Sequence, residues 1–200
     1  VTAATGIDAM VHAIEAYTSA LKKNPMSDLL AREALRLLAA NLDEAVHKGS
    51  NREARQAMLL GACLAGQAFA NAPVAAVHAL AYPLGGNFHI PHGLSNALVL
   101  PQVLRFNVSA ATTHYGELAP IILGDRLRTD DPSTYAEQLI EEFEQMSARV
   151  GLPTRLRDAG VPEEMLPQLA KEAMLQQRLL VNNPREVSEA DALAIYQAAY

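Results

Sequence analysis

Apolar residues recur with a helical period along almost the whole chain. They lie three or four positions apart in one segment after another, whereas the strict alternation of apolar and polar residues that marks a half-buried strand is absent. Val and Ile, which favour strands, are sparse. We therefore predict an all-α fold, a multi-helix bundle that forms a single domain over residues 1–200.

The periodicity and the boundary signals divide the chain into predicted helices. They span residues 6–19, 27–47, 51–72, 74–82, 94–106, 109–122, 133–150, 162–177 and 188–199. The segments DDPST and VSEAD supply N-cap residues before the seventh and the last of these, and VGLP at 150–153 ends the seventh. No internal repeat, low-complexity tract or long linker separates the segments.

Composition and charge narrow the classes of function. Half of the 200 residues are apolar, which is enough for one domain with a sizeable core. The net charge is −6 and Lys and Arg are scattered, so we expect neither a nucleic-acid partner nor a membrane-binding patch. The longest apolar runs are interrupted by Gln, Asn, Pro and His, and a basic leader is missing, which favours a soluble protein.

Two features bear on the cellular context of the chain. Cys63 is its one cysteine, so no internal disulfide forms, and its place in LLGACLAGQAF predicts a small buried thiol. A reducing, cytoplasmic compartment is therefore expected. The chain opens at Val1 without Met and runs straight into a helical pattern, so we expect it to be a piece of a longer protein.

The stretch TGIDAMVHAIEAYTSA, residues 5–20, places an acid and a histidine four positions apart. In a helix, Asp8 and His12 lie on one face with Cβ atoms roughly 5–6 Å apart, so both reach one point in space. A metal site is one interpretation. Two structural alternatives stay open: Asp8 favours the helix dipole or forms a capping box with Thr5, and His12 is a core histidine with one hydrogen bond.

The segment VHALAYPLGGNFHIPHGLSNALVLP, residues 77–101, departs from the regular pattern. It holds three of the six histidines, three glycines and three prolines. We expect the helix that carries His78 to end at AYP, a Gly-Gly turn and a loop with His89 to follow, and His92 to open the next helix. Such a connection can bring His78 and His92 face to face. The alternative is a structural turn whose histidines cap helices.

Together the two stretches offer one carboxylate and three imidazoles, with His89 as a spare. This mixture of oxygen and nitrogen donors suits Fe(II), Zn, Co or Ni rather than Mg or Ca. With one position left open, such an ion acts as a Lewis acid on a substrate oxygen. Neither spacing is a short zinc signature. His47 and His114 lie in polar surroundings that we expect to be solvated, and they receive no role.

Four separated blocks resemble the iron-containing, group III alcohol dehydrogenases in order and spacing, and they cover that family's helical C-terminal domain. The blocks are TGIDAMVHAIEAYTS, AFANAPVAAVHALAYPLGGNFHIPHGLSNALVLPQVLRFN, VGLPTRLRDAGV and NNPREVSEADALAIYQAAY. The metal ligands that the resemblance implies are Asp8, His12, His78 and His92. It also places Phe69 and Asn71 of AFANA near the pocket, with Phe69 as a wall beside the substrate or the nicotinamide.

The sequence departs from the family's pattern in two places. Tyr82 stands where many members carry a histidine near the nicotinamide. It either relays a proton through its hydroxyl or packs as a helix-capping tyrosine before Pro83, and His89 is a second candidate for the relay. No Gly-rich phosphate turn such as GGGS follows a strand, so the family's N-terminal α/β nucleotide-binding domain is absent from this sequence.

The resemblance also implies a function for the intact protein. It is hydride transfer between a primary alcohol or aldehyde and NAD or NADP, with Fe(II), or Zn in its place, polarising the substrate oxygen. The intact protein is expected to be a homo-oligomer, and the 200 residues alone to bind metal with little activity. Two other classes stay open: a structural helical domain without activity, and a metallohydrolase, against which the lack of a second acid placed as a general base near the histidines argues.

Overall fold

The computed structural model describes residues 1–200, and every regular element in it is a helix. The α-helices are α1 (Thr2–Tyr17), α2 (Pro25–His47), α3 (Arg52–Asn71), α4 (Ala76–Phe88), α5 (His92–Leu123), α6 (Tyr135–Arg149), α7 (Leu166–Ala173), α8 (Gln177–Leu180) and α9 (Glu189–Ala199). Short 3-10 turns cover Gly124–Arg126, Pro132–Thr134, Arg157–Ala159 and Glu163–Met165. No strand is present, and the predicted all-α fold is confirmed.

Helix α1 lies at the centre of the bundle. It packs against α2, α3 and α5, while α5 also contacts α4, α6 and α9. The α1 side chains of Ile7, Met10 and Ile14, which share one face, are at most 1% exposed. Because α1 is covered by other helices on several sides, the polar residues it carries must find their partners inside the protein.

Helix α4 continues through residues that the sequence predicts will end it. The chain stays helical through Pro83 and the Gly85–Gly86 pair, and neither glycine has a positive φ. Leu80 and Leu84, on either side of the proline, are fully buried, so packing holds the helical register across it. The predicted Gly-Gly turn is therefore wrong. The chain turns instead at His89, whose φ is 55°.

A single helix, α5, replaces the predicted pair at 94–106 and 109–122. The predicted break falls next to Asn107, where the backbone stays helical. The buried Asn107 side chain exchanges two hydrogen bonds with the amide of Asn183, at 3.0 and 2.8 Å, so it does not compete for the helix backbone. The prediction of two helices is therefore wrong, because local sequence does not show that Asn107 pairs with Asn183, 76 positions away.

Other boundaries follow the capping signals more closely. Ser188 and Asp191 form a capping box at the start of α9, and Asp131 accepts a backbone hydrogen bond ahead of α6. The predicted helix at 162–177 is shorter than expected, because a 3-10 turn precedes α7. That helix begins just before Pro167, and the first turn is where a helix accommodates proline most easily.

The face of α3 that carries Cys63 is exposed, so the prediction of a buried thiol is wrong. The buried residues of α3 are Ala54, Met58, Gly61, Ala65 and Ala68. Cys63 lies two positions beyond Gly61, roughly 200° around the helix. Leu59 and Leu60 near it are 74% and 52% exposed. By length and apolar character, none of the helices taken singly could cross a membrane; α3 and α4 would do so only as a pair bent by 107°.

The start of α5 approaches α1 through a glycine. A Cβ built on Gly93 would lie 2.5 Å from the carbonyl oxygen of Ala4 and 2.7 Å from its carbonyl carbon. These are backbone atoms of a packed helix and cannot swing aside, so a larger residue would separate the two helices. Gly93 therefore sets the distance between α1 and the start of α5, and with it the position of His92.

Replacing Gly93 by alanine should destabilise the fold by about 1–3 kcal/mol, the usual cost of forcing extra volume into a packed interface. Gly116 is a matched control on the same helix, because a Cβ there meets nothing within 4 Å. The Gly116→Ala variant should gain roughly 0.4–1 kcal/mol. Chemical denaturation measures both effects. If Gly93→Ala were as stable as the wild type, this contact would not constrain the helices.

Candidate metal centre

Asp8 and His12 lie on one face of α1 and well inside it. The helix begins at Thr2, and its first turn contains no acidic residue. The Thr5 hydroxyl donates to the carbonyl of Val1 at 3.2 Å rather than capping the helix. The two structural alternatives for Asp8, a first-turn acid and a capping box, are therefore wrong. His12 Nδ1 lies 3.9 Å from Asp8 Oδ1.

His78 and His92 come from the helices on either side of the connection at 89–91. His78 lies in the first turn of α4, and His92 is the first residue of α5. The left-handed backbone of His89 reverses the chain between them, and the two rings lie 5.3 Å apart. His78 is buried, whereas 48% of the His92 side chain is exposed. The pair of histidines is therefore open to solvent on the side of His92.

The donor atoms of Asp8, His78 and His92 converge on one point. Asp8 Oδ1 lies 3.7 Å from His78 Nε2 and 3.6 Å from His92 Nε2, and all three atoms lie within 4.8 Å of one another. Two donors bound to one ion at ~2.1 Å are roughly 3–4 Å apart, so these spacings fit a shared ion. His12 is outside this three-residue group, but its ring lies 4.6 Å from the His78 ring.

The side-chain amide of Asn96 lies at the centre of this group. Its Nδ2 atom is 2.5 Å from Asp8 Oδ1, and 3.3 and 3.2 Å from the Nε2 atoms of His78 and His92. An amide nitrogen carries two hydrogens, so it cannot satisfy all three atoms when neither Nε2 atom is protonated, which is the state that metal binding requires. The Oδ1 atom of Asn96 is buried without a partner. A cation would satisfy all three acceptors, and a carboxylate with imidazoles suits a first-row transition ion.

A second acid, Glu15, stands behind His78. It is 4% exposed; one carboxylate oxygen accepts a hydrogen bond from the Val77 backbone N–H at 2.7 Å, and the other lies 2.6 Å from His78 Nδ1. A second acid, which the sequence analysis did not identify, therefore lies near the histidines. Both oxygens are engaged, however, so Glu15 is not placed to act as a base towards a water molecule, as a metallohydrolase would need.

Sequence reasoning missed Glu15 and Asn96, although helical spacing points to both. Glu15 follows His12 by three positions and lies on the same face of α1. Asn96 follows His92 by four positions and lies on the same face of α5. An acid in the middle of an apolar helix is rarely buried without a partner, and this rule is the signal that would have identified Glu15.

The surroundings act differently on two of the imidazoles. Burial lowers the pKa of His12 below its ordinary value, and the neighbouring His78 lowers it further. Burial opposes the charged form of His78 as well, but the carboxylates of Glu15 and Asp8 outweigh it and raise the pKa of His78. The surroundings thus favour the neutral form of His12, which is the form that binds metal, whereas the carboxylates favour the protonated form of His78.

Two predicted aromatic residues border the group. The Phe69 ring stacks on His12 with centroids 4.5 Å apart. The Tyr82 ring lies 5.9 Å from that of His92 and edge-on to His78 at 6.4 Å. Because α4 continues past Tyr82, the alternative of a helix-capping tyrosine is wrong. The aromatic rings therefore cover the group from α3 and from α4.

The other predicted residues are not members of the three-residue group. Asn71 is exposed at the end of α3 and donates to the Gln67 carbonyl at 2.9 Å. His89 is exposed at the turn between α4 and α5. The prediction of solvated surroundings is wrong for His114, which is half-buried edge-on to Tyr17 at 5.9 Å, with its Nδ1 atom buried and without a partner.

Comparison with known proteins identifies relatives along the whole chain. The family model described as Fe-containing alcohol dehydrogenase family, C-terminal, matches residues 2–200. Long-chain-alcohol dehydrogenase 1 of Geobacillus thermodenitrificans is 46% identical, and the match covers 100% of this chain and 50% of that protein. The 1,3-propanediol dehydrogenase of Klebsiella pneumoniae is 41% identical, with 100% and 51% covered. The chain spans about half the length of the curated relatives it matches.

Solved structures show the same helical arrangement. The crystal structure of a 1,3-propanediol oxidoreductase superposes with a TM-score of 0.93 at 40% identity, over 99% of this chain and 51% of that one. An alcohol dehydrogenase from Oenococcus oeni also gives 0.93, at 38% identity, over 100% of this chain and 51% of that one. At these identities the similarity extends to sequence as well as to fold.

Adding Zn²⁺ or Fe(II) should raise the melting temperature of this chain, because the ion binds the folded donors and scarcely the unfolded ones. At about 100 times the Kd the gain is ~2.7 kcal/mol, a shift of roughly 5–11 °C for a chain of this size. Replacing Asp8, His12, His78 and His92 together should abolish the shift. A melting curve that metal leaves unmoved would show that the donors do not form a site in this chain.

Proposed function

The chain belongs to the iron-containing alcohol dehydrogenase family, and we propose that it is the metal-binding part of an enzyme that transfers hydride between a primary alcohol or aldehyde and NAD(P). The observation that carries this proposal is the convergence of Asp8, His78 and His92 within 4.8 Å. The names of the relatives, which refer to long-chain alcohols and to 1,3-propanediol, support a small-molecule alcohol or its aldehyde as the substrate.

We propose Fe(II), with Zn as the alternative, as the ion held by Asp8, His12, His78 and His92. When bound, such an ion supplies a Lewis acid that polarises the substrate oxygen. Asp8 contributes the negative charge that offsets part of the charge of a divalent cation. His12 completes the set from α1, where Phe69 supports its ring. The substrate enters from the exposed side of His92.

Residues around the group have separate parts in this proposal. Phe69 excludes water from the His12 side and offers a flat apolar face to the substrate or the nicotinamide. The Tyr82 ring lies 5.9 Å from that of His92, and in this proposal its hydroxyl passes the proton of the alcohol to solvent. Asn71 and His89 are both exposed; in this proposal Asn71 contacts the nicotinamide of the intact protein, and His89 provides a second route for the proton.

The intact protein has to supply the dinucleotide site. We propose that an N-terminal α/β domain binds NAD(P) and closes over the open side of the group, so that the nicotinamide carries out the hydride chemistry while this chain positions the substrate. The coverage of about half of each curated relative supports this division. A homo-oligomer and a cytoplasmic location stay predictions, which size-exclusion chromatography and cell fractionation would check.

In the intact protein, His92→Ala should remove the metal and the NAD(P)-linked oxidation of primary alcohols together, because losing one of four ligands leaves the ion too weakly held. Metal analysis of the purified protein and a turnover assay measure the two effects. Wild-type turnover in this variant would contradict the ligand assignment.

Tyr82→Phe is the companion variant for the same assays. It should keep the full metal content, because Tyr82 is not a ligand in this proposal, and it should lower only the rate if the hydroxyl passes the proton. Loss of metal from Tyr82→Phe would show that the ligand set is wrong.

A further inference from the structure

The Glu15 carboxylate joins α1 to the first turn of α4 through two contacts. One oxygen accepts the hydrogen bond from the Val77 backbone N–H, and the other lies 2.6 Å from His78 Nδ1. The group is 4% exposed, and no side chain other than His78 is within hydrogen-bonding distance. Glu15 contacts Nδ1 of the imidazole, whereas Asp8 and His92 face its Nε2 atom, so the direct contact of Glu15 with the group is through His78.

Two contacts select the same tautomer of His78. An ionised carboxylate is an acceptor only, so the short contact with Glu15 requires a hydrogen on Nδ1. On the other edge of the ring, the Asn96 amide nitrogen, which is a donor only, lies 3.3 Å from Nε2. A neutral ring with its hydrogen on Nδ1 keeps a free lone pair on Nε2, and Nε2 is the atom that faces Asp8 and His92.

The other oxygen of Glu15 fixes where α4 begins. The residue before that helix, Ala75, has no side chain that can cap it. The backbone N–H of Val77 belongs to the first turn, where no carbonyl of the helix can accept it. Glu15 supplies both the missing acceptor and a negative charge at the positive end of the helix. One carboxylate therefore sets both the position of α4 and the orientation of the ring that α4 carries.

We propose that Glu15 is a positioning residue for the metal, which fixes the His78 tautomer and directs the Nε2 lone pair into the three-residue group. This inference rests on the proposed function, since it assigns Glu15 a part in holding the ion. Carboxylates behind metal-bound histidines typically change metal affinity by about 10–100-fold when they are removed. Glu15 is expected to act in that range while never touching the ion or the substrate.

Glu15→Gln is the informative variant, because it keeps the shape of the side chain and forces a choice between its two contacts. If the amide oxygen accepts from Val77, the amide nitrogen faces His78 Nδ1 and drives the ring hydrogen to Nε2. If the oxygen faces His78 instead, the amide nitrogen opposes the Val77 N–H and loosens the start of α4. Either arrangement weakens the metal site. Glu142→Gln is the matched control, since Glu142 is equally buried but binds Arg126 and Arg149.

Two measurements on the intact protein test the inference. Titration with Zn²⁺ should give a Kd about 10–100-fold weaker for Glu15→Gln than for the wild type, and an unchanged Kd for Glu142→Gln even where its stability falls. Nitrogen NMR of metal-free protein labelled at histidine, at a pH where the rings are neutral, should show the His78 hydrogen on Nδ1 in the wild type and a population on Nε2 in Glu15→Gln.

The outcomes separate the two levels of the proposal. A wild-type protein that binds no Zn²⁺ would overturn the proposed function. A wild type that binds Zn²⁺, together with a Glu15→Gln variant of equal affinity, would overturn only the part assigned to Glu15. The NMR measurement needs no variant, so it decides even if Glu15→Gln does not fold: a wild-type His78 with its hydrogen on Nε2 would overturn the tautomer assignment.

Discussion

The candidate metal centre depends on how closely two helices approach α1. Gly93 permits the start of α5 to lie against the Ala4 backbone, where even a methyl group would meet carbonyl atoms at 2.5 and 2.7 Å. On the other side, the Glu15 carboxylate holds the first turn of α4. The donors of three helices thereby converge, although they are separated by up to 84 positions in the sequence, from Asp8 to His92. Because α1 is itself the central helix of the core, the packing that stabilises the fold also positions the donors.

Folding brings one carboxylate oxygen and two imidazole nitrogens together around a single amide nitrogen. Asp8 Oδ1 and the Nε2 atoms of His78 and His92 surround the amide nitrogen of Asn96, whose own oxygen is buried without a partner. A buried polar group left unsatisfied costs roughly 1–3 kcal/mol, and such costs are concentrated at functional sites. A bound cation would offset this cost, because a full positive charge would take the place of the amide hydrogens. We therefore expect metal affinity and fold stability to be linked in this chain.

The sequence predicted the parts of the site that depend on spacing within one helix, and it failed where distant residues decide. Asp8 and His12 are four positions apart, so their shared face follows from helix geometry alone. The lengths of α4 and α5 do not follow from local sequence. Burial of Leu84 keeps α4 helical beyond Pro83, and the hydrogen bonds between Asn107 and Asn183 keep the polar Asn107 side chain from interrupting α5. Glu15 was overlooked since its partners, Val77 and His78, lie 62 and 63 positions away. Cys63 was misjudged because an apolar sequence does not show which face of a helix is covered.

The central claim is that the group formed by Asp8, His78 and His92 is a metal centre, and X-ray diffraction at the absorption edge of zinc tests it most directly. Crystals of the intact protein grown with Zn²⁺ should show one anomalous peak about 2.0–2.2 Å from the Asp8 carboxylate and the histidine nitrogens, with the Asn96 amide moved out of the centre. An Asn96 amide that stays in the group, with no peak there or with a peak only at remote surface residues, would contradict the claim.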